Sequence, residues 1–385
     1  MLIPTIIYIT CVVLLIYTLI FGETKSHKNG PIGWLHNIIT KKLWIWLSDL
    51  TLAVCGKTCH TKCTSICEYV CTERNPFMMI FYYSLIIGGY IIFMLKCWPH
   101  IPGPYLPAIN LYIPHFFVGG VLLWHYYVTI SDPGEITKQN FGYYAKLYDY
   151  DHLLYFPGRV ESRTGLKRLP RAKYCGISKK YVARFDHFCP WVNTTVGARN
   201  LYSFLLFLFS TAALCLYCGY VGIAVLMGVI ERHGLWDLTY TNKAGELVTM
   251  SLLQLLQVLL VNFSGVFALA LFTSIVSVVL FAFALFHVSL IWYGVTTYET
   301  FKWNDLKTDI IPQLLTFKEP LDEDEQDYLS YKWISLIYKR LDSIGPVEKI
   351  VNIYNRGIKD NFYEVFFFES WAANRIKMSR KKKKN

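Results

Sequence analysis

Asp186, His187 and Cys189 place a carboxylate, an imidazole and a thiol within four residues. That set of groups suits nucleophilic catalysis. A thiol attacks as thiolate, and a free pKa of about 8.5 leaves little thiolate at pH 7. A neighbouring imidazole takes the proton, and a carboxylate orients that imidazole and stabilises its charged form. Arg184, Lys179 and Lys180 add positive potential that favours thiolate and anionic ligands. Taken alone, the run reads more readily as a chance structural trio, so its surroundings decide.

The elements that must position it are apolar helices. The chain has 385 residues, of which 54% are hydrophobic and 17% charged, below the quarter usual for a soluble domain. Roughly 20 mostly apolar residues are needed to cross a bilayer as a helix, because nothing there satisfies free backbone groups. Five stretches qualify, over residues 3–21, 77–95, 111–130, 201–229 and 263–295. The fifth is over-long and must tilt or extend. The third carries Pro114, His115 and His125 and is the weakest of the five. The first reads as a retained anchor, with a cleaved signal peptide as the alternative; it lacks a basic n-region.

Residues 131–200 hold twelve Lys and Arg, whereas the loop 96–110 has only Lys96 and the 230–260 loop only Arg232 and Lys243. The positive-inside rule then puts 22–76, 131–200 and 296–385 in the cytosol. Cys189 lies about twelve residues before the fourth span, and Thr296-Thr297-Tyr298-Glu299 emerges where the fifth ends. The two segments are expected to meet at the cytosolic edge of the bilayer.

A net charge of +11 does not imply nucleic acid here, because seven positive charges sit in the tail after residue 374. That tail suits an anionic leaflet or an address, with Lys382 and Lys383 at dilysine spacing, or equally a solvated end. Cys55, Cys59, Cys63, Cys67 and Cys71 recur every fourth residue, a stripe drifting round one helix face. Small residues on a packing face are the first reading and S-acylation the second. Asn193-Thr194-Thr195 and Asn262-Phe263-Ser264 are sequons, the first expected on the cytosolic side and the second too close to the bilayer for use.

The residues around the trio resemble the cysteine-rich domain of DHHC-type protein S-acyltransferases. The resemblance is carried by the run Arg168 to Cys175, the run Val182 to Asn193, and Val196, Gly197 and Asn200. Asp132-Pro133-Gly134 resembles the family's DPG motif and Thr296-Thr297-Tyr298-Glu299 its TTxE motif. Residues 353–365, with Gly357 and Asn361, resemble its C-terminal motif. Residues 148–157 and the extra first span look like the fungal subgroup that acylates SNARE proteins.

The resemblance implies an all-α polytopic membrane protein of about five spans, with a small irregular cytosolic domain between the third and fourth. The expected organisation is 1–22 anchor, 23–76 cytosolic segment, 77–130 two spans, 131–200 catalytic domain, 201–295 two spans and 296–385 C-terminal region. Cys189 would attack a long-chain acyl-CoA, with palmitoyl-CoA as donor, and pass the acyl group to a membrane-protein cysteine. His187 would be the base, Asp186 its partner, and Thr297, Thr296, Glu299 and Asn361 supporting residues. The expected location is the endoplasmic reticulum membrane. An inactive scaffold for the same clients is the competing function, and a transporter a distant third.

The family binds two zinc ions. The corresponding positions are Glu161, Thr164, Tyr174 and Tyr181, then Cys175, Ser178, Phe188 and Thr195, and only Cys175 is a ligand of the family's kind. Structural zinc takes four N or S ligands. The sequence therefore predicts a domain without zinc or any other cofactor.

Overall fold

A computed structural model describes residues 27–241, 245–306 and 351–382, with six further positions before residue 27. The expected first span falls almost entirely outside these residues. The chain forms two units, divided at Glu73 and Arg74.

The N-terminal unit contains α1 (Pro31–Asn37) and α2 (Leu43–Thr72), joined by a π-helical turn. The cysteine stripe lies on α2, but Gly56 interrupts the helix with φ 75° and ψ 171°. Cys55 therefore stands before the break and is not on a continuous face with the others. Cys55 and Cys67 are exposed, and Cys59 and Cys63 only half-buried. A packing face would bury such small residues, so that first reading is not met within this unit.

In the second unit hydropathy sets the frame. Among the described residues, four helical stretches are long and apolar enough to cross a membrane: Phe77–His100, Ala108–Ile130, Leu201–Arg232 and Ser264–Trp292. Their helical cores are α3 (Phe77–Ile92), α4 (Ile113–Ile130), α6 (Leu201–Arg232) and α8 (Ser264–Trp292). A short helix, α5 (Phe141–Tyr144), lies between α4 and α6 in the cytosolic segment. At about 1.5 Å per residue α6 runs roughly 48 Å, well past a hydrocarbon core of about 30 Å.

Lipid offers no hydrophobic drive between helices, so close backbone approach through small residues does the packing. A Cβ added at Gly222 of α6 would fall 2.7 Å from the Ala270 Cβ of α8. Pro114 does not weaken α4, because it sits in the first turn, where a missing N–H costs nothing.

The fifth stretch, expected over 263–295, is the single helix α8 of 29 residues, and a separate short helix precedes it. α7 (Leu252–Asn262) begins at a capping box in which Ser251 and Gln254 bond each other's backbone N–H, and α8 starts after Phe263.

The cytosolic segment between α4 and α6 is held by two hairpins. β1 (Lys173–Cys175) pairs with β2 (Lys180–Val182), and β3 (His187–Cys189) with β4 (Thr194–Val196), both antiparallel. Asp132 fixes the entry to this segment by accepting from the Gly134 and Glu135 amides. Gly134 has φ 95°, a conformation that favours glycine, and approaches Ala198 closely. After α8, Gly294 turns the chain with φ 66°, where any Cβ would fall 2.8 Å from Asn355 Cα. Helices α9 (Thr297–Asp305), α10 (Ile358–Phe366) and α11 (Phe368–Lys382) complete the described chain.

Candidate active site

Successive side chains alternate across a strand, so β3 presents His187 and Cys189 on one face and Phe188 on the other. Phe188 packs with Cys175, Val182 and Phe185. Cys189 instead joins the apolar cluster of α4, α6 and α8. The hairpin pairs Cys189 with Thr194 and His187 with Val196. The third span also holds this hairpin. His125, fully buried, donates from Nε2 to the Trp191 carbonyl at 3.0 Å and accepts at Nδ1 from the Tyr83 hydroxyl at 2.8 Å.

Asp186 precedes the strand and is 3% exposed. Its Oδ2 accepts from His187 Nδ1 at 2.6 Å, which leaves the far ring nitrogen for other chemistry. The first turn of α9 secures the carboxylate from the other side. The Thr297 amide donates to Oδ1 at 2.8 Å, and the Thr297 hydroxyl to Oδ2 at 2.9 Å. Burial alone would raise the Asp186 pKa. The His187 hydrogen bond and charge, with His287 and the Thr297 amide, outweigh it and hold the carboxyl well below its usual range. Burial pushes His187 down, but the bond to Asp186 and the neighbouring Cys189 side chain outweigh that and raise it to about 10. The imidazole thus keeps its proton at neutral pH, as a cation between Asp186 and Cys189.

The remaining expected residues form the support. Thr296 caps α9: its hydroxyl accepts from the Glu299 amide at 3.2 Å, and its amide donates to Glu299 Oε2 at 2.9 Å. Glu299 then meets Arg171 through two hydrogen bonds, at 2.7 and 2.8 Å. Asn361 on α10 donates to the Trp292 carbonyl at 3.0 Å and accepts from the Arg356 amide at 3.1 Å, tying the C-terminal helix to the end of the last span. Aligned peptide carbonyls at a helix end need such partners when water is scarce.

Four further residues belong here, three of them missed by sequence reasoning and one, Arg184, read there as a source of positive potential for thiolate and anions. Arg171, with no measurable exposure of its side chain, also donates to the Gly294 carbonyl at 3.0 Å and pairs with Glu364 at 3.3 Å. Arg184 pairs with the same Glu364 at 2.8 Å. Burial works against the Glu364 carboxylate, but Arg184 and Arg171 outweigh it and hold its pKa low. The fourth is His287 on α8, whose Nδ1 lies 3.9 Å from Asp186 Oδ2 and whose ring is 5.6 Å from that of His187. Glu364 lies inside the recognised C-terminal motif, a usable signal; His287 is one polar residue in an apolar run and gives none.

Cys189 also lines a cavity of about 420 Å³ among the spans. Its walls run along α6 from Phe204 to Cys218, a depth of about 21 Å. The two threonines in the wall turn their hydroxyls to the backbone, Thr211 to Phe207 at 2.9 Å and Thr273 to Leu269 at 2.7 Å. The space is therefore apolar apart from the thiol end and Tyr82.

The chain is similar to known palmitoyltransferases. A family model described as DHHC palmitoyltransferase matches residues 156–304. The chain is 27% identical over 309 residues to palmitoyltransferase swf1 of Emericella nidulans, covering 77% of this chain and 70% of that protein. It is 24% identical to palmitoyltransferase swf1 of Schizosaccharomyces pombe over 385 residues, 92% of this chain and 93% of the other. To palmitoyltransferase ZDHHC4 of Bos taurus it is 30% identical over 193 residues, half of this chain and 56% of that one.

The match corrects the expectation about metal. The family is cysteine-rich and zinc-binding, so the absence of zinc predicted from eight aligned positions does not stand. That prediction followed spacing along the chain and could not see donors assembled across it. Asp186, His187 and His287 bring one ligand atom each to within 4.8 Å of one another. The aligned positions themselves offer a poor donor set: Cys175 Sγ accepts from the Ser178 amide, and the Ser178 hydroxyl bonds that of Thr195 at 2.7 Å. One thiol and two hydroxyls do not make a structural zinc site of four N or S ligands. The chain is a multi-span membrane acyltransferase that carries a DHHC palmitoyltransferase domain over residues 156–304.

Proposed function

We propose that the protein is a palmitoyltransferase that works through an acyl-enzyme on Cys189. The observation that carries this is the position of Cys189: it shares a strand face with a protonated His187 and lines an apolar cavity. His187 keeps its proton to about pH 10 and so holds one for the departing CoA.

The thiolate attacks the carbonyl carbon of a long-chain acyl-CoA, forming a new C–S bond as the C–S bond to CoA breaks. CoA leaves as thiolate and takes a proton from His187. A substrate thiol then returns a proton to His187 and attacks the acyl-enzyme, releasing Cys189 as thiolate. Asp186 orients His187 throughout, and Thr297 holds Asp186. Thr296, Glu299 and Asn361 position α9 and α10 behind it.

The acyl chain lies in the cavity among the spans, and the acceptors are juxtamembrane cysteines of membrane proteins. SNARE-like proteins fit that description, in keeping with the likeness to the fungal enzymes. Residence in the endoplasmic reticulum membrane is part of the same reading.

Purified protein incubated with labelled palmitoyl-CoA should form a hydroxylamine-sensitive adduct that vanishes in Cys189→Ala. Equal labelling of the two proteins refutes the acyl-enzyme, and no labelling of either favours the scaffold.

A further inference from the structure

His287 stands on α8, five residues before its end at Trp292, in a run that is otherwise almost wholly apolar. Its side chain is buried. Three phenylalanines cage the ring: Phe283 at 4.7 Å, Phe286 at 5.7 Å and Phe204 of α6 at 5.3 Å between ring centres. Phe204 meets His187 in the same edge-to-face way at 5.2 Å, so one phenyl ring abuts both imidazoles. Among the described residues the buried Nε2 of His287 has no hydrogen-bond partner. A buried polar atom left unpaired costs free energy that a phenylalanine would not. Packing therefore does not account for an imidazole at this position.

The other ring nitrogen faces the catalytic carboxylate. Nδ1 of His287 lies 3.9 Å from Asp186 Oδ2, about 1 Å beyond a hydrogen bond. A neutral imidazole carries one N–H, and the donor belongs on the nitrogen that faces an acceptor, so the proton sits on Nδ1. Asp186 has room for it. A carboxylate offers about four acceptor sites, and three donors already reach this one. They are His187 Nδ1, the Thr297 hydroxyl and the Thr297 amide.

We propose that His287 is a positioning residue that keeps Asp186 ionised during the half of the reaction in which His187 is neutral. The inference rests on the acyl-enzyme reading of Cys189. In that cycle His187 gives its proton to the departing CoA and regains one from the substrate thiol. Between the two steps Asp186 is a buried carboxylate whose cationic partner has become a neutral ring. A buried charge without a partner tends to take up a proton instead. A protonated Asp186 would no longer orient His187 or sustain its basicity. Closing the gap of about 1 Å lets His287 add a charge-assisted hydrogen bond from Nδ1 at that stage. No proton leaves His287, so the proton balance of the two steps is unchanged.

The test measures two rates on the full chain in phosphatidylcholine nanodiscs. One is loading of Cys189 from labelled palmitoyl-CoA, and the other is transfer of the label to a membrane-anchored peptide with one cysteine. His287→Phe keeps an aromatic ring in the cage and removes the N–H. Transfer should slow by about tenfold to a hundredfold, and loading by less, because loading starts with His187 protonated. His287→Asn puts an amide N–H near the Nδ1 position and should restore most of the transfer rate. If the phenylalanine variant fails to fold, His287→Leu makes the same removal without a ring. Transfer at the wild-type rate in the variant that lacks the N–H overturns the inference. So does an equal fall in both rates that His287→Asn does not repair, since a packing defect has no preference between the steps. A wild type without a Cys189-dependent label refutes the acyl-enzyme and this inference with it. A wild type that loads and transfers beside an unaffected variant refutes this inference alone.

Discussion

Two buried charge clusters meet α9 at positions two residues apart, and they do different work. Thr297 reaches the cluster of Asp186 and His187, and Glu299 reaches the cluster of Arg171, Arg184 and Glu364. The His187 side chain is 24% exposed and faces the reactive thiol, whereas every side chain of the second cluster is at most 3% exposed. A buried charge that is always paired stabilises a single arrangement; one that must gain and lose a proton needs an open side. The first cluster is built for proton movement and the second for locking. Glu299 and Glu364 come from separate motifs on α9 and α10, yet both close on Arg171, so the lock joins the cytosolic hairpins to both C-terminal motifs.

If that division holds, the largest effect belongs to Asp186→Asn. The amide keeps the bond from the Thr297 N–H but removes the charge that orients and sustains His187. Acyl labelling of Cys189 should slow by about a hundredfold to ten-thousandfold. The melting temperature should move much less than in variants of the lock. A variant that labels at the wild-type rate would show that Asp186 is only structural.

Arg171→Met is the reciprocal experiment. It leaves Glu299 and Glu364 without their shared cation, at a cost of about 3–5 kcal/mol. The melting temperature should fall by many degrees, while protein kept below it retains labelling. Loss of labelling without loss of stability would merge the two clusters into one functional unit.

The clusters should also part in their response to pH. His187 is raised from its ordinary value to about 10. Its contribution to stability is therefore complete below about pH 6.5 and is lost as pH rises through about 10. Glu364 is lowered, so its contribution is present above its ordinary carboxylate range and is lost as pH falls through the depressed value. Unfolding free energy should decline in wild type between pH 6 and 10, by on the order of a few kcal/mol at most, and the decline should flatten in His187→Gln. An unchanged alkaline limb in that variant would remove His187 as its cause.

Much of this was legible in the sequence, and the reason differs by feature. Asp186, His187 and Cys189 are adjacent, and the TTxE run is a local motif, so type and spacing reveal them. Four spans follow from apolar length alone. The start of the last span at about residue 263 was legible too, and the short helix α7 before it is marked by Ser251 and Gln254, a capping-box pair. The lock was not legible, because Arg171 meets Glu299 and Glu364 across separations of 128 and 193 residues. Nothing local distinguishes Arg171 from the eleven other basic residues of 131–200. The zinc prediction failed for the same reason, since aligned positions report neighbours in sequence and not donors gathered in space.

A smaller change probes how the two clusters share α9. Thr297 gives Asp186 both an amide and a hydroxyl bond, and Thr297→Val removes only the hydroxyl. The shape is kept and the capping box of Thr296 and Glu299 is untouched. A hydrogen bond to a charged group contributes about 1.5–3 kcal/mol, so labelling should slow by roughly tenfold to a hundredfold with little loss of stability. Thr297→Ser, which restores the hydroxyl, should recover most of the rate. Equal rates for the valine and serine variants would mean that the amide alone holds Asp186, and that the threonine side chain serves packing against the hairpin.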